Sequence, residues 1–166
     1  MSLVIRPGTS RDVADVDALL AASYPVLLKP DYPPSVMVTA LPLISRAQPA
    51  LITCGTYFVV EQEGILRAAG GWTFGPPKGT RPAPGLGHVR HVVTDHRAVR
   101  RGFGRALMDH ILADAGARGA TRLEALSTLT AVPFYRAMGF APLGEVDVPL
   151  GPAGLPFRAV RMDRSL

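Results

Sequence analysis

Residues 94–107 (TDHRAVRRGFGRAL) combine glycines and arginines in a pattern that suits the binding of a phosphate group. Gly102 and Gly104 lie where an apolar, strand-like stretch gives way to a helical pattern. The first N–H groups of a helix are unpaired, glycines let the backbone approach an anion closely, and arginines add charge-assisted hydrogen bonds. The basic residues around the two glycines are Arg97, Arg100, Arg101 and Arg105. The segment therefore predicts a cradle for a diphosphate.

Two common nucleotide-binding loops do not fit this segment. A P-loop requires lysine and then serine or threonine after its last glycine, but Gly104 is followed by Arg105 and Ala106. A dinucleotide-binding loop requires a third glycine where Leu107 stands. A lone Gly-x-Gly is also typical of a plain strand-to-helix turn, so these residues alone leave the ligand open.

A strand before the cradle and a helix after it must hold it in place, and the hydrophobic pattern predicts both. Strands are predicted over residues 3–6, 56–62, 65–74, 88–94, 122–126, 141–149 and 155–162. Helices are predicted from residue 9 to about residue 25, over residues 36–47, from residue 104 to residue 116 or 119, and from a cap at Thr130 to Gly139. Pro25 marks the end of the first helix, and Pro42 must kink the second or split it at Thr39. The order predicts a mixed α/β fold with one central sheet in a single domain over residues 1–166.

Composition predicts a globular protein of the cytoplasm. Cys54 is the only cysteine, so an internal disulfide is not possible. The first ten residues lack the apolar core of a signal peptide, and no apolar run approaches the roughly 18 residues that a membrane span needs.

The net charge of +5 allows two interpretations. All but Lys29 and Lys78 of the 18 basic residues are arginines, which suits phosphate contacts but is equally what a GC-rich genome encodes. No basic stretch with interleaved aromatic residues and no zinc-finger spacing is present, which argues against nucleic acid as a ligand.

The four histidines and Cys54 also lack metal-ligand spacing, so we predict no metal site.

Two segments, in a fixed order, resemble motifs of the GCN5-related N-acetyltransferase (GNAT) superfamily. Residues 92–107 resemble its acetyl-coenzyme A motif, whose loop reads Arg/Gln-x-x-Gly-x-Gly/Ala, and residues 134–140 (FYRAMGF) resemble its Phe-Tyr-x-x-x-Gly-Phe segment. Val99 departs from the usual Arg or Gln at the first loop position, which contributes mainly a backbone N–H in that family. The resemblance is firm over about residues 88–140, and only the order of elements agrees in the N-terminal half.

The resemblance implies a mostly antiparallel central sheet of about seven strands flanked by about four helices. A splay between two strands would hold coenzyme A, and acetyl-coenzyme A would be the acyl donor. Main-chain groups of Val92, Val93 and Thr94 would pair with the pantetheine arm like an added strand. The other residues implied to bind the donor are Val99, Arg100, Arg101, Gly102, Phe103, Gly104, Arg105 and Phe134.

The resemblance also implies direct attack of a primary amine on the thioester, without a covalent enzyme intermediate. Tyr135 occupies the family's position for the general acid that protonates the departing thiolate. His88 is our candidate for the general base, because histone acetyltransferases place a glutamate there and serotonin N-acetyltransferases a histidine. A histidine titrates near neutrality, so it could take the proton directly or through water, and water alone is the alternative.

Strand alternation along residues 88–94 predicts which side chains accompany His88. His88, Arg90 and Val92 would share one face, and Val89, His91 and Val93 would share the other. On this basis His91 faces away from the site. Arg90, beside His88, would favour an acceptor that carries a carboxylate or a phosphate.

The acceptor pocket is expected between the N-terminal helices, the loop at residues 75–87 and the turn at residues 151–154. The aromatic residues that could line it, each also able to pack in the core, are Tyr24, Tyr32, Trp72 and Phe74. We expect the acceptor to be a small molecule rather than a peptide.

Two other functions are compatible with the sequence. A non-catalytic module could keep the coenzyme A cradle to sense acyl-coenzyme A or to contact a partner. The arginines of residues 97–105 could instead bind nucleic acid. Exposed edge strands near the C-terminus would allow a homodimer.

Overall fold

The structure of the protein, a computed structural model, describes residues 2–77 and 81–166. Its strands are β1 (Leu3–Pro7), β2 (Tyr57–Gln62), β3 (Ile65–Thr73), β4 (Leu86–Thr94), β5 (Arg122–Thr128), β6 (Ala141–Leu150) and β7 (Leu155–Ser165). Its helices are α1 (Val13–Leu28), α2 (Pro34–Ile44), α3 (Pro49–Ile52), α4 (Phe103–Ala117) and α5 (Val132–Ala137), and a short 3-10 helix (Ser10–Asp12) precedes α1. Within the described residues, none of these helices is long and apolar enough to cross a membrane.

The seven strands form one sheet in the order β1-β2-β3-β4-β5-β7-β6, which confirms the predicted mixed α/β fold. All neighbouring strands are antiparallel except β4 and β5, which are parallel. Within the described residues, β4 and β5 pair only from Leu86 to His88, opposite Arg122 to Glu124. The strands then separate, and this opening, called the β4–β5 opening below, is the predicted splay.

Helices cover both faces of the sheet. On one face, called the α4 face, Leu107 and Ile111 of α4 pack with residues of α5 against the strands. On the other, called the α1 face, Leu20 and Ile52 of α1 and α3 pack against β2 and β3, while α2 packs against β6 and β7. Because α4 and α1 cover opposite faces, the β4–β5 opening can be approached from two sides.

Two prolines lie inside helices that the sequence predicts to be interrupted. The helix α1 continues past Pro25 to Leu28, and α2 is continuous over Pro42 without a break at Thr39. Each proline lies in the last turn of its helix, where one missing N–H donor removes a single backbone hydrogen bond. The first helix therefore ends close to Pro25 as predicted, three residues beyond it, whereas the predicted split of the second helix at Thr39 is wrong. The short α3 was also not predicted, because four residues show no helical periodicity.

Thr130 is not the cap of α5, contrary to prediction. Ala131 precedes the helix, and its N–H donates to the Thr128 hydroxyl at 3.2 Å. The Thr130 hydroxyl instead donates to the Asp31 carboxylate at 2.7 Å. Asp31 lies between α1 and α2, so this bond ties the start of α5 to the N-terminal helices.

Candidate functional site

The N-terminus of α4, where the sequence predicts a phosphate cradle, has main-chain geometry that suits one. Arg100 and Gly102 have positive φ angles of 61° and 87°, whereas Arg101 between them does not. Alternation of this kind turns successive N–H groups into one concavity, which is a common anion-binding arrangement. Gly102 is the N-cap, and no side chain in the described part of the protein caps this end of the helix. The first N–H groups of α4 are therefore available to an anion.

Gly104 allows the cradle to lie close to β4 and α5. A Cβ atom at this position would be 3.2 Å from both the Phe134 ring and the Thr94 hydroxyl, which is tighter than ordinary side-chain contacts. Thr94 ends β4, and Phe134 lies in the first turn of α5. The glycine thus brings the cradle, the end of β4 and Phe134 together.

The arginines near the cradle differ in their partners. Arg97 is paired with Asp95, with its Nε 3.2 Å from a carboxylate oxygen. Arg101 lies over the Phe103 ring, 5.4 Å from the ring centroid, and reaches Gln62 at 3.4 Å. The residues Val99, Arg100, Arg101 and Arg105 are solvent-exposed along the loop and the first turn. The exposed arginines therefore lie where a bound diphosphate could meet them.

The strand β4 contains a bulge where the prediction assumed regular alternation. Its register with β3 shifts between Ala69 and Gly71, and His91 has a φ angle of 51°. Gly70 lies opposite the bulge, and a Cβ atom there would be 2.7 Å from the side chain of Val92. Gly70 therefore leaves the room that the bulge requires.

The bulge changes which residues share a face. His88, Arg90 and His91 lie on the α1 face, where the His91 ring contacts Ile44 and Tyr24. Val92 packs instead with the cluster of the α4 face, together with Val89. Val93 packs with Val16 and Leu20 on the α1 face. The predicted faces of His91, Val92 and Val93 are therefore wrong, because an extra residue in a strand reverses the alternation beyond it.

Three hydrogen bonds hold the bulge. The Tyr57 hydroxyl donates to the His91 carbonyl at 3.0 Å, and the Tyr24 hydroxyl donates to the Val92 carbonyl at 2.9 Å. The imidazole Nε2 of His91 lies 2.8 Å from the Ile44 carbonyl, which is its acceptor when Nε2 carries the proton. Burial raises the pKa of both tyrosines above the ordinary value, so both phenols stay protonated and keep donating at physiological pH.

Tyr135 lies on α5 beside this bulge. It is 6% exposed, and its ring meets those of Phe134 and Phe140 edge to face. Burial raises its pKa, and burial together with the proximity of Tyr57 and Tyr135 raises the pKa of Tyr24. The phenol of Tyr135 is therefore close to the bulge and protonated at physiological pH.

His88 is at the closed end of the β4–β5 opening. It pairs in register with Glu124 on β5, in the last pair before the strands separate. His88 is 2% exposed and Glu124 is 6% exposed, and the Glu124 carboxylate lies 3.3 Å from Nε of Arg161. The Nε2 atom of His88 is buried and has no hydrogen-bond partner among residues 2–77 and 81–166. A buried polar atom without a partner is costly, so the atom is suited to a ligand or a water molecule.

Burial keeps His88 neutral at physiological pH, and the neighbouring charges modify this effect. Burial lowers the pKa of His88, the negative charge of Glu124 opposes this shift, and the positive charge of Arg90 adds to it. The net direction is downward, so the free base predominates near neutral pH and can accept a proton.

Glu124 was not predicted as a site residue. The available signal was a single acid within the apolar strand sequence of residues 122–128 (RLEALST), on the face opposite the buried Leu123 and Ala125. Alternation alone could have identified its face. Its position beside His88 required the parallel pairing of β4 with β5, which the sequence does not reveal.

The aromatic residues expected in the acceptor pocket divide into two groups. Tyr24 reaches the bulge, as described above. Trp72 donates from Nε1 to Asp114 of α4 at 2.8 Å, so it lies on the opposite face, and the exposed Phe74 packs against it. Tyr32 stacks on Phe157 and donates to the Arg158 carbonyl, which makes it a core residue. Only Tyr24 of the four contacts the bulge of β4.

The segments expected around the acceptor are partly in place. A Cβ atom at Gly151, in the turn at residues 151–154, would be 3.2 Å from Leu43 of α2, so the turn and the helix meet. The loop at residues 75–87 includes residues 78–80, which lie outside the described residues. In the described part of the chain, no group of three His, Cys, Asp or Glu side chains is arranged to hold a metal ion.

The sequence profile of the acetyltransferase (GNAT) family matches residues 21–140, which is more than half of the chain. No curated protein sequence matches the chain significantly. The matched segment includes the second half of α1, the bulge in β4, the cradle and α5.

Solved structures of N-acetyltransferases share the fold. A GCN5-related N-acetyltransferase from Rhodopseudomonas palustris has a TM-score of 0.77 at 21% identity, with 100% of this chain and 97% of that chain covered. The PaiA N-acetyltransferase from Thermoplasma acidophilum, solved in complex with coenzyme A, has a TM-score of 0.70 at 10% identity, with 100% of both chains covered. The ribosomal-protein-S18-alanine N-acetyltransferase from Escherichia coli has a TM-score of 0.63 at 17% identity, with 99% and 94% covered.

Proposed function

The chain belongs to the acetyltransferase (GNAT) family and is an acyltransferase, and we propose that it transfers the acetyl group of acetyl-coenzyme A to a primary amine of a small molecule. The observation that carries this proposal is the β4–β5 opening with an uncapped, glycine-rich helix N-terminus beside it. One acetyltransferase domain would span the chain. The PaiA relative, solved with coenzyme A, supports this choice of donor.

The donor would be held mainly by main-chain groups. The N–H groups at the start of α4 would bind the diphosphate, and Arg100, Arg101 and Arg105 would add charge. The bulged segment of Val92, Val93 and Thr94 would pair with the pantetheine arm, because this part of β4 has no strand partner on the β5 side within the described residues. Phe134 would pack beside the arm, since it already lies next to Gly104.

Proton transfer would require one base and one acid on either side of the thioester. The neutral His88 would accept a proton from the ammonium of the acceptor, directly or through water, with Glu124 stabilising the imidazolium that forms. The amine nitrogen would then bond to the acetyl carbon as the carbon–sulfur bond breaks. Tyr135 would protonate the departing thiolate, and the second proton lost by the attacking nitrogen would return the tyrosine to its neutral form, giving an N-acetyl amide and free coenzyme A.

Backbone N–H groups of the bulge would stabilise the charge that develops on the thioester oxygen. Tyr57 and Tyr24 hold the carbonyl groups of His91 and Val92. Each carbonyl shares a rigid peptide plane with the N–H of the next residue, so the two phenols would fix the direction of the N–H groups of Val92 and Val93. Because the phenols donate to the backbone rather than to the reacting atoms, their role is positioning.

Thiol release from acetyl-coenzyme A with a panel of small amines tests this function. We expect amine-dependent thiol release, together with calorimetric binding of coenzyme A that saturates at one site per chain. Binding without turnover across a wide panel would favour the alternative of an acyl-coenzyme A sensor. No binding of any coenzyme A species would overturn both, and affinity for oligonucleotides that survives saturating coenzyme A would favour nucleic acid as the ligand of the arginines.

A further inference from the structure

Arg90 is a half-buried cation on the α1 face of β4 that lacks an anionic partner. Its Nη1 atom donates to the Thr73 hydroxyl at 3.1 Å, and no carboxylate of the described residues lies within ion-pair distance. Burial lowers its pKa, which shows that its charge is poorly compensated by the protein. A guanidinium has five N–H donors, so most of its hydrogen-bonding capacity remains unused.

Two of the other half-buried arginines have acidic partners, whereas Arg164 donates to the Met138 carbonyl at 2.6 Å. Arg6 contacts Asp12 at 2.8 Å and Glu61 at 2.6 Å, and Arg67 contacts Asp95 at 3.0 Å. Desolvated charges are normally paired in this way because burial of an unpaired charge is unfavourable. Arg90 and Arg164 are the half-buried arginines of the described residues without a carboxylate partner, and of these two only Arg90 lies on β4 beside His88.

The surroundings of Arg90 form a site with two opposite charges. His88 lies two residues away on the same strand face, about 6.6 Å along β4, and Glu124 lies beside His88 on β5. The positive charge of Arg90 influences His88, which shows that the two side chains are near each other. Glu124 also pairs with Arg161 at 3.3 Å, but a carboxylate can accept several hydrogen bonds, so an ammonium group could share it beside His88. An anion would be favoured beside Arg90.

We propose that the acceptor is a primary amine that also carries a carboxylate, with the amine at His88 and Glu124 and the carboxylate paired with Arg90. This inference rests on the proposed acetyl transfer and adds the class of acceptor to it. A carboxylate matches the planar donors of the guanidinium, and the separation of the two ends of the site favours several bonds between the amine and the carboxylate.

The test compares matched acids and amides as acceptors. Glycine, 3-aminopropanoate, 4-aminobutanoate and 6-aminohexanoate are each compared with the corresponding primary amide, by kcat/KM for thiol release from acetyl-coenzyme A. For the wild type we expect the acid to exceed the amide by about 10-fold to 100-fold at the best chain length, because hydrogen bonds to charged groups contribute about that much. The ratio of acid to amide should fall to near one in Arg90→Gln. Dividing the wild-type ratio by the Arg90→Gln ratio cancels the effect of the different amine pKa values of the acid and the amide.

Two further variants make the comparison specific. Arg90→Lys keeps the charge without the planar donors, so it should retain part of the preference for the acid over the amide. It replaces Arg90→Gln in the comparison if that variant does not fold. Arg158→Gln removes an exposed arginine that pairs with Glu145 and Asp147 on the outer strands, so the ratio should stay at the wild-type value.

Each outcome separates the two proposals. Turnover with an acid-to-amide ratio that Arg90→Gln leaves unchanged overturns the carboxylate inference and leaves acetyl transfer intact. Binding of coenzyme A without turnover of any acid in the panel also overturns the inference. Failure of the wild type to bind coenzyme A overturns the proposed function itself.

Discussion

The two sides of the β4–β5 opening are built from different parts of the protein. The donor side is made by the backbone: two positive φ angles at Arg100 and Gly102, an uncapped helix N-terminus and a close approach at Gly104. The acceptor side is made by side chains, among them His88 and Glu124, which come from separate strands. A backbone cradle suits a donor that is the same for every family member, whereas acceptor choice depends on a few side chains that can vary independently.

The largest effect expected on this comparison comes from Tyr135, which serves both sides. Tyr135→Phe should lower kcat by about 10²-fold to 10⁴-fold, the usual range for loss of a general acid. The dissociation constant of coenzyme A, measured by calorimetry, should stay within about twofold, since the ring that packs against Phe134 and Phe140 is kept. An unchanged kcat would remove Tyr135 from the mechanism.

A pair of glycines on one helix tests the donor side. In Gly104→Ala the new Cβ atom would crowd Phe134 and Thr94, and we expect coenzyme A affinity to fall by about 10-fold, which corresponds to about 1.4 kcal/mol. Gly116→Ala is the matched control, because a Cβ atom there meets nothing within 4 Å. The control should raise the free energy of unfolding by about 0.5–1 kcal/mol and leave coenzyme A affinity unchanged. Equal affinities in the two variants would contradict the cradle at Gly104.

The pH dependence of kcat/KM tests the acceptor side. Because the pKa of His88 is lowered, kcat/KM should be at its maximum at pH values above the ordinary pKa of histidine. It should fall as the pH drops through the lowered pKa, because His88 is then protonated. Arg90→Gln removes a charge that lowers the pKa, so this acid limb should move to higher pH. Glu124→Gln removes a charge that raises it, so the limb should move to lower pH.

A direct titration provides the control for these shifts. NMR of the His88 imidazole in the three proteins without substrate should show the same two directions. If the acid limb persists unchanged in His88→Gln, the base is water or another group.

The smallest effect is expected for the tyrosines that hold the bulge. Tyr57→Phe and Tyr24→Phe each remove the hydroxyl that donates to a carbonyl of the bulge. If the resulting shift of the backbone raises the activation free energy by about 1 kcal/mol, kcat should fall about fivefold. Tyr32→Phe is the control, because its hydroxyl bonds to the Arg158 carbonyl and the Leu129 N–H elsewhere in the core. It should lower the melting temperature without changing kcat. A similar loss of kcat in all three would indicate general destabilisation.

Local sequence was sufficient to predict the glycine-rich start of α4 and the order of the strands along the chain. The glycines, the arginines and the change from strand to helix pattern lie within residues 94–107, and the aromatic motif at residues 134–140 is equally compact. Positive φ at Gly102 and Gly139 follows from the residue type, and the structure has both. Features written in consecutive residues could therefore be read before the fold was known.

The acceptor side could not be predicted to the same extent, because it depends on pairing between distant segments. The bulge at His91 arises from the register of β4 on β3 and reverses the expected face of Val92. The pair of His88 and Glu124 exists only because β4 and β5 run parallel. Trp72, a candidate for the pocket by residue type, is held on the opposite face by Asp114.

Amide NMR of the uniformly ¹⁵N-labelled protein during titration with coenzyme A tests most directly whether the opening beside α4 is the donor site. The expected result is a saturable shift of the resonances of residues 92–94 and 102–105, with little change along the outer strands β1 and β6. Saturable shifts confined to other parts of the sheet, or none at all, would contradict a donor site between β4 and β5.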